Sequence, residues 1–335
     1  MAIGVAATLG APSLSKASLT GTKAIRPPRL KPGDTVGIVS PAGFTSDPLD
    51  IDIVRENLGK LGLKIKVGQN ALERYGPLAG TDQQRADDFN RMVNDPSVQG
   101  ICCLRGGYGT TRILHLVDYA SFRAHPKVVW GFSDITGLLN ALTKKTGVIT
   151  FHAPTAASNW GEYDLASMKS IILEADYGTA LPDYVGDPVP EAVTLIPGTA
   201  QGRLVGGNLS LLSAVGGSQF APDTEGAMVF IEEVGEEPYR VDRMLTQLLL
   251  AGAFKRAKGI IFGGMRLRSN QAPSADPKDW TMLDVLRDRA LAIGLPAFTG
   301  FPAGHIADQV VMPIGVRVEM DAVTRTLRLL EPAVS

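Results

Sequence analysis

The chain has 335 residues, enough for two domains or one large one. Apolar residues make up 44% and charged residues 20%, a balance that excludes extended disorder and fibrous repeats. Lys plus Arg number 33 against 34 for Asp plus Glu, so there is no basic excess for counterion-release binding, and nucleic acid is not an expected partner.

The chain opens on the uncharged, small and apolar run Met1–Pro12, followed by the Ser- and Lys-containing stretch Ser13–Lys23. This resembles the end of a secretory signal, yet it is too short to cross a bilayer and has no basic segment before it. Residues 1–30 are therefore expected to be a leader, either a truncated export signal or a disordered tail. The first option places the protein in the periplasm and the second in the cytoplasm. No later stretch has the length and apolarity of a membrane span.

After the Pro-rich joint Arg26–Pro32, the segment Asp34–Ser40 reads as a buried strand. A helical pattern near 48–61, a strand at Leu63–Val67, a helix near 81–94 and the apolar run Gly100–Leu104 follow. A helix near 109–118, the strand Lys127–Trp130, a helix over 134–145 and the strand Val148–Phe151 keep the same rhythm, which predicts a parallel sheet with crossover helices over residues 31–154. Residues 155–200 hold one helix, near 165–175, and the Pro- and Gly-rich stretch Leu181–Pro190, and read as a connection. A second α/β unit spans 201–331: the segment Gly202–Gly207, a helix from Asn208, the strand Ala227–Ile231, the helix Pro238–Leu250, the strand Gly259–Phe262, the helix Asp284–Ala292 and a closing strand pair.

Cys102 and Cys103 are neighbours in an apolar run, so they form neither a disulfide framework nor a thiolate metal site and read as small core residues. The segment Val128–Leu139 is a strand that turns directly into an amphipathic helix. Ser133 falls on that turn, where free backbone N–H groups and the positive end of the helix dipole can stabilise an oxyanion. The alternative is that Ser133 or Asp134 only caps the helix. The pattern also departs from G-x-S-x-G, because Ile135 stands where the second glycine would be.

A serine nucleophile needs a base, and the base needs an orienting group. Of four histidines, His115 and His125 read as packing or surface residues, while His152 closes a strand and is a candidate site wall. His305 lies in the turn-rich loop Phe301–Gln309, a mount for a ring that reaches across an interface, although a structural histidine also suits that place. The strand Met228–Val234 ends in Glu232 and Glu233, whose side chains point to opposite sides, so one of them could orient a histidine. The Gly-rich turn Leu104–Thr111 could cradle an anion, supply an oxyanion donor or simply make a tight turn. As a nucleotide motif it fails, since Arg112 replaces the third glycine and no G-K-[ST] follows.

Taken together, Arg105–Gly109, Gly131–Thr136, Gly202–Leu209, Phe230–Glu233, Pro238–Arg243 and Gly304-His305 resemble, in order and spacing, the LD-carboxypeptidase family of serine peptidases from about residue 31 to 331. The resemblance implies a two-domain α/β fold: an N-terminal parallel-sheet domain carrying a nucleophile elbow, a C-terminal α/β domain, and an active site in the cleft between them. It implies Ser133 as nucleophile, Glu232 as acid and His305 as base, with backbone N–H groups of Asp134 and of Gly106 and Gly107 as the oxyanion hole. Arg105, Tyr108 and Arg240 become candidates for substrate binding. The family implies no metal and no cofactor, a homodimer, and a muropeptide substrate that loses a terminal D-alanine. Relatives resembling microcin-C-immunity peptidases cleave peptidyl or aminoacyl nucleotides instead, using an aromatic residue on a mobile loop; Trp160 lies in a suitable loop, but a core tryptophan flanking a helix is the preferred reading of it. A non-catalytic two-domain solute-binding protein would share the same gross features.

Overall fold

The computed structural model describes residues 24–47, 49–179, 181, 192–267, 276 and 278–335. Leader residues 1–23 and all but the first residue of the Pro- and Gly-rich stretch Leu181–Pro190 lie outside the described residues. The first unit contains β1 (Thr35–Val39), α1 (Asp50–Lys60), β2 (Lys64–Val67), α2 (Asp82–Asn94), β3 (Gly100–Cys103), α3 (Thr110–Ile113), α4 (Tyr119–Ala124), β4 (Val128–Gly131), α5 (Thr136–Thr146) and β5 (Thr150–His152). Next come α6 (Glu162–Met168), β6 (Val193–Ile196), β7 (Thr199–Asn208), α7 (Leu209–Val215), β8 (Ala227–Val234), α8 (Pro238–Leu250) and β9 (Gly259–Arg266). The chain closes with α9 (Met282–Ile293), β10 (Ala297–Thr299), β11 (Met312–Ile314), β12 (Arg317–Asp321) and β13 (Thr326–Leu329).

Two sheets result. The first has the order β11-β5-β4-β3-β1-β2, in which β1 to β5 pair in parallel. Helices cover both of its faces, so strands such as β3 and β4 are buried at every position and read as continuous apolar runs. Cys102 and Cys103 are free and buried there. The second sheet has the order β13-β12-β7-β8-β9-β10-β6, with β7 to β10 parallel and antiparallel strands at both sides. This is the two-domain α/β architecture that the alternating pattern predicts.

Three departures have local physical causes. Residues 24–30, expected in the leader, belong to the folded body: Ile25 bridges Val148, Arg26 pairs with Glu331 at 2.9 Å and Leu30 is buried in the core. The helix expected over 109–118 is instead a single turn, α3, and a separate α4, because the Asp118 side chain accepts from Ser121 N–H at 2.9 Å and starts a new helix. Finally, β11 comes from the span assigned to the second domain yet pairs antiparallel with β5 in the first sheet. It is an edge strand, which is why it tolerates Pro313.

The two units meet along α5 and β7. Asn140, buried in the middle of α5, donates from Nδ2 to Gly206 O at 2.8 Å and accepts from Gly206 N at 3.0 Å. One turn earlier, Thr136 Oγ1 accepts from Asn208 N at 3.0 Å. The helix that follows the Ser133 turn is thereby fixed to the strand beside Glu232. No helix among the described residues is long and apolar enough to cross a membrane.

Candidate active site

Ser133 sits between β4 and α5 with φ of 63°, one of three residues other than glycine with positive φ among those described. An L-residue held in this region is strained and protrudes from the turn, as a strand-to-helix nucleophile elbow requires. Neither Ser133 nor Asp134 caps the helix it opens. The buried Asp134 carboxylate instead accepts from Thr110 N at 2.8 Å, and Thr110 Oγ1 donates to Asp134 O. Burial pushes the Asp134 carboxyl above its usual range, against those hydrogen bonds. The elbow is therefore tied to the end of the Gly-rich turn. That turn abuts the serine itself: a Cβ at Gly106 would lie 2.9 Å from Ser133 Cβ and 3.1 Å from its Oγ, so glycine alone leaves the hydroxyl room.

The acids at the end of β8 separate as strand alternation demands. Glu233 turns to α7, accepting from Ser210 N at 2.8 Å, Ser210 Oγ at 2.7 Å and Asn208 Nδ2 at 3.1 Å, and so anchors that helix's N-terminus. Glu232 turns the other way, fully buried, and its Oε2 lies 2.7 Å from His305 Nδ1. The β8–β9 pairing shifts register between Ile231 and Glu233, opposite Gly263 and Gly264. Such a bulge re-aims a side chain. Gly264 N donates to Ala303 O at 2.9 Å, which lays the His305 loop on the bulge. Gly304 then passes over Glu232 with φ of 107°, where a Cβ would lie 2.6 Å from Glu232 Cβ. The Gly–His pair thus has a packing reason: only glycine lets the imidazole reach this carboxylate.

Burial alone would raise the Glu232 pKa, but the imidazoles of His152 and His305 outweigh it and hold the group at about 2. Burial would lower the His305 pKa, and the hydrogen bond and charge of Glu232 outweigh that, leaving it raised above 6.5. A carboxylate only accepts, so Nδ1 carries the proton and Nε2 keeps its lone pair, the tautomer a general base needs. The Ser133 hydroxyl makes no hydrogen bond to His305 here; the two are joined through Phe132, whose ring centroid is 4.8 Å from that of His305. Catalytic hydrogen bonds are often longer before substrate binds.

The other expected site residues divide. Arg105, on the Gly-rich turn, donates to Phe44 O at 2.9 Å, Gly107 follows Gly106 with φ of 113°, and Tyr108 stands exposed beside them. Arg240, in the first turn of α8, is engaged with Tyr239 Oη at 3.1 Å and Glu236 at 3.7 Å, and no hydrogen bond or ion pair links it to Glu232 or His305. Trp160 is not a loop aromatic facing a ligand: it is buried, and its Nε1 donates to Thr155 O at 2.9 Å. The site also contains parts that residue patterns alone do not announce, namely Thr136, Asn208 and the Gly263–Gly264 bulge, although paired glycines inside a strand are a bulge signal.

Comparison with known proteins places the chain in a family. The model of the LD-carboxypeptidase N-terminal domain matches residues 36–153, and that of the C-terminal domain matches 201–320. The chain belongs to the LD-carboxypeptidase family. It is a hydrolase of that family of serine peptidases. A Bacillus subtilis protein named "Probable murein peptide carboxypeptidase" is 38% identical over 315 residues, covering 92% of this chain and 95% of its own. Among solved structures, MccF in complex with glutamyl sulfamoyl guanosine superposes with a TM-score of 0.82 at 25% identity, covering 92% of this chain and 99% of that one. The muramoyltetrapeptide carboxypeptidase of Oxalobacter formigenes gives a TM-score of 0.73 at 26% identity, with 88% and 97% covered. A non-catalytic solute-binding protein is not the family these comparisons find.

Proposed function

We propose that this LD-carboxypeptidase family member releases the terminal D-alanine of murein tetrapeptides by a Ser133–His305–Glu232 relay. The observation that carries the reading is the Glu232–His305 pair, 2.7 Å apart and packed through Phe132 against the strained Ser133 turn. Ser133 Oγ adds to the carbonyl carbon of the L,D-amide while His305 Nε2 takes its proton. The charge that develops on the carbonyl oxygen meets the backbone N–H of Asp134 and of the Gly106–Gly107 turn. His305 then gives the proton to the departing D-alanine nitrogen, the C–N bond breaks, and water attacks the acyl-serine with His305 again as base. Glu232 keeps the imidazole in one tautomer and balances the imidazolium. Arg105, Tyr108 and Arg240 are the candidates to grip the substrate, whose terminal carboxylate calls for a cation.

Incubation with a muropeptide tetrapeptide should yield a product lighter by one alanine residue together with free D-alanine, and Ser133→Ala should yield neither. The fold match to MccF with an aminoacyl sulfamoyl nucleoside bound supports a second reading, in which the amide of a nucleotide conjugate is cut. An intact tetrapeptide alongside release of the nucleoside from glutamyl sulfamoyl guanosine would select it. The burial of Trp160 leaves that reading without the aromatic expected for it. The first reading also takes the protein as a homodimer, measurable by light scattering. It further takes it as periplasmic where the leader is a truncated export signal, which the mass of the mature N-terminus decides.

A further inference from the structure

One imidazole at the site has no part in the relay just described. His152, the last residue of β5, is fully buried and pairs across the sheet with Gly131, two residues before Ser133. Its ring stands edge-on to Phe230 (centroids 5.2 Å apart, 81°) and to Phe132 (6.0 Å, 73°). Neither of its nitrogens has a hydrogen-bond partner, and neither does Glu232 Oε1. These orphaned atoms lie together, with Nε2 3.8 Å from Oε1. That is too long for a hydrogen bond, and about 1 Å of approach would make one. A carboxylate removed from water with one hydrogen bond is poorly compensated. Oε2 already accepts from His305, and the donor that faces the other oxygen is His152.

We propose that His152 is a positioning residue: its Nε2–H closes onto Glu232 Oε1 and holds Oε2 on His305 Nδ1. The inference rests on the Ser133–His305–Glu232 reading. Besides His152 from β5, the titratable and charged groups acting on the Glu232–His305 pair are Glu233 from β8 and Arg266 from β9. A donor on Oε1 draws electron density from the carboxylate and so weakens its pull on the His305 proton. Removing that donor makes the pair hold its proton to higher pH.

The test reads the pH dependence of Ser133 labelling by a fluorophosphonate, which requires the base but no knowledge of the natural substrate. His152→Met fills similar space without a donor, His152→Gln retains an N–H able to reach Oε1, and His152→Asn has one that falls short. Labelling should fall about 10- to 100-fold in His152→Met and His152→Asn, with the acid limb displaced to higher pH, whereas His152→Gln keeps the limb of the parent. In a Glu232→Gln background, replacing His152 should cost nothing more. Should His152→Met fail to fold, the Asn and Gln variants carry the comparison. An acid limb unmoved in the Asn and Met variants, or an undiminished further loss in the Glu232→Gln background, makes His152 a packing residue and overturns the proposal. A parent that labels no better than Ser133→Ala overturns the relay reading, and this inference falls with it.

Discussion

Between Val128 and Thr136 the chain builds the mount for the proposed nucleophile out of consecutive residues: a buried strand, a tight turn holding one residue at positive φ, and a helix. The proposed base, His305, and its carboxylate partner, Glu232, come from segments 73 residues apart, brought together by a bulge in β9 and by a loop that crosses Glu232 through Gly304. The first half is a backbone construction, in which the position of the hydroxyl follows from local dihedrals. The second is a packing construction, in which a buried charge is kept ionised by the imidazoles around it. The halves should therefore respond differently to the same kind of damage. Substitutions in the elbow should remove chemistry and spare the fold, and substitutions around Glu232 should disturb both.

The largest expected effect is that of Ser133→Ala, which should lower hydrolysis of the tetrapeptide by about a thousandfold or more. Its urea midpoint should stay near that of the parent, since the hydroxyl makes no hydrogen bond to His305. Persistent turnover would detach the elbow from the chemistry altogether. Glu232→Gln comes next, with a fall in kcat of about 10²- to 10⁴-fold as the imidazole loses its preferred tautomer. The pH profile sharpens this case. His305 must be neutral to act as base, and its pKa is raised above 6.5 by Glu232 against the opposing effect of burial. The parent's kcat/KM should therefore fall as pH drops through a value above 6.5. In Glu232→Gln that limb should move to lower pH. A limb that stays in place would mean that another group titrates.

Stability follows the same signs. Glu232 is held at about 2 against an ordinary 4.5, so its contribution is present above pH 4.5 and is lost as pH falls toward 2. The raised His305 contributes fully below pH 6.5, and that contribution disappears as pH rises through its folded-state pKa.

How far the sequence discloses each half follows from the same contrast. The elbow is legible because all its determinants are neighbours in the chain: apolar Val128–Trp130, Gly131, Ser133-Asp134 and the amphipathic run after it. The alternation of strands and helices is legible for the same reason. Glu232 and Glu233 are another matter. Alternation says that they face opposite ways, but which one faces the imidazole depends on a register shift against β9, and only the family resemblance selects Glu232. The boundary at residue 31 misses Ile25 and Leu30 because their partners, Val148 and Ile172, are distant in sequence. The strand β11 escapes notice because it is three residues long and contains a proline.

Two glycine substitutions compare the halves directly. Gly304→Ala puts a Cβ 2.6 Å from Glu232 Cβ at a φ of 107°, so neither the backbone nor the neighbour can yield cheaply. A loss of about 2–4 kcal/mol in urea unfolding is expected, together with most of the activity. Gly106→Ala has no left-handed φ to violate, and its contact is with the Ser133 side chain. It should cost about 1–2 kcal/mol and displace the hydroxyl, so that activity falls further than stability does. Equal losses in the two variants would erase the distinction between a backbone mount and a packed pair.

The smallest effect tests whether the elbow is strained at all. Replacing Ser133 by Ala or by Gly removes the same hydroxyl, so the two variants differ only in what φ of 63° costs them. Alanine keeps the Cβ and with it a left-handed penalty of about 1–2 kcal/mol, whereas glycine adopts that conformation freely but loses about 0.5–1 kcal/mol through its more flexible unfolded chain. The balance makes Ser133→Gly the more stable of the pair by up to about 1.5 kcal/mol. At Ser121 in α4 there is no such φ, and the order should reverse, with Ala above Gly by about 0.5–1 kcal/mol. Using both positions cancels the general preference for alanine and leaves the strain. If the order at Ser133 matched the order at Ser121, the proposed nucleophile would sit on a relaxed turn, and backbone strain would have no part in presenting its hydroxyl.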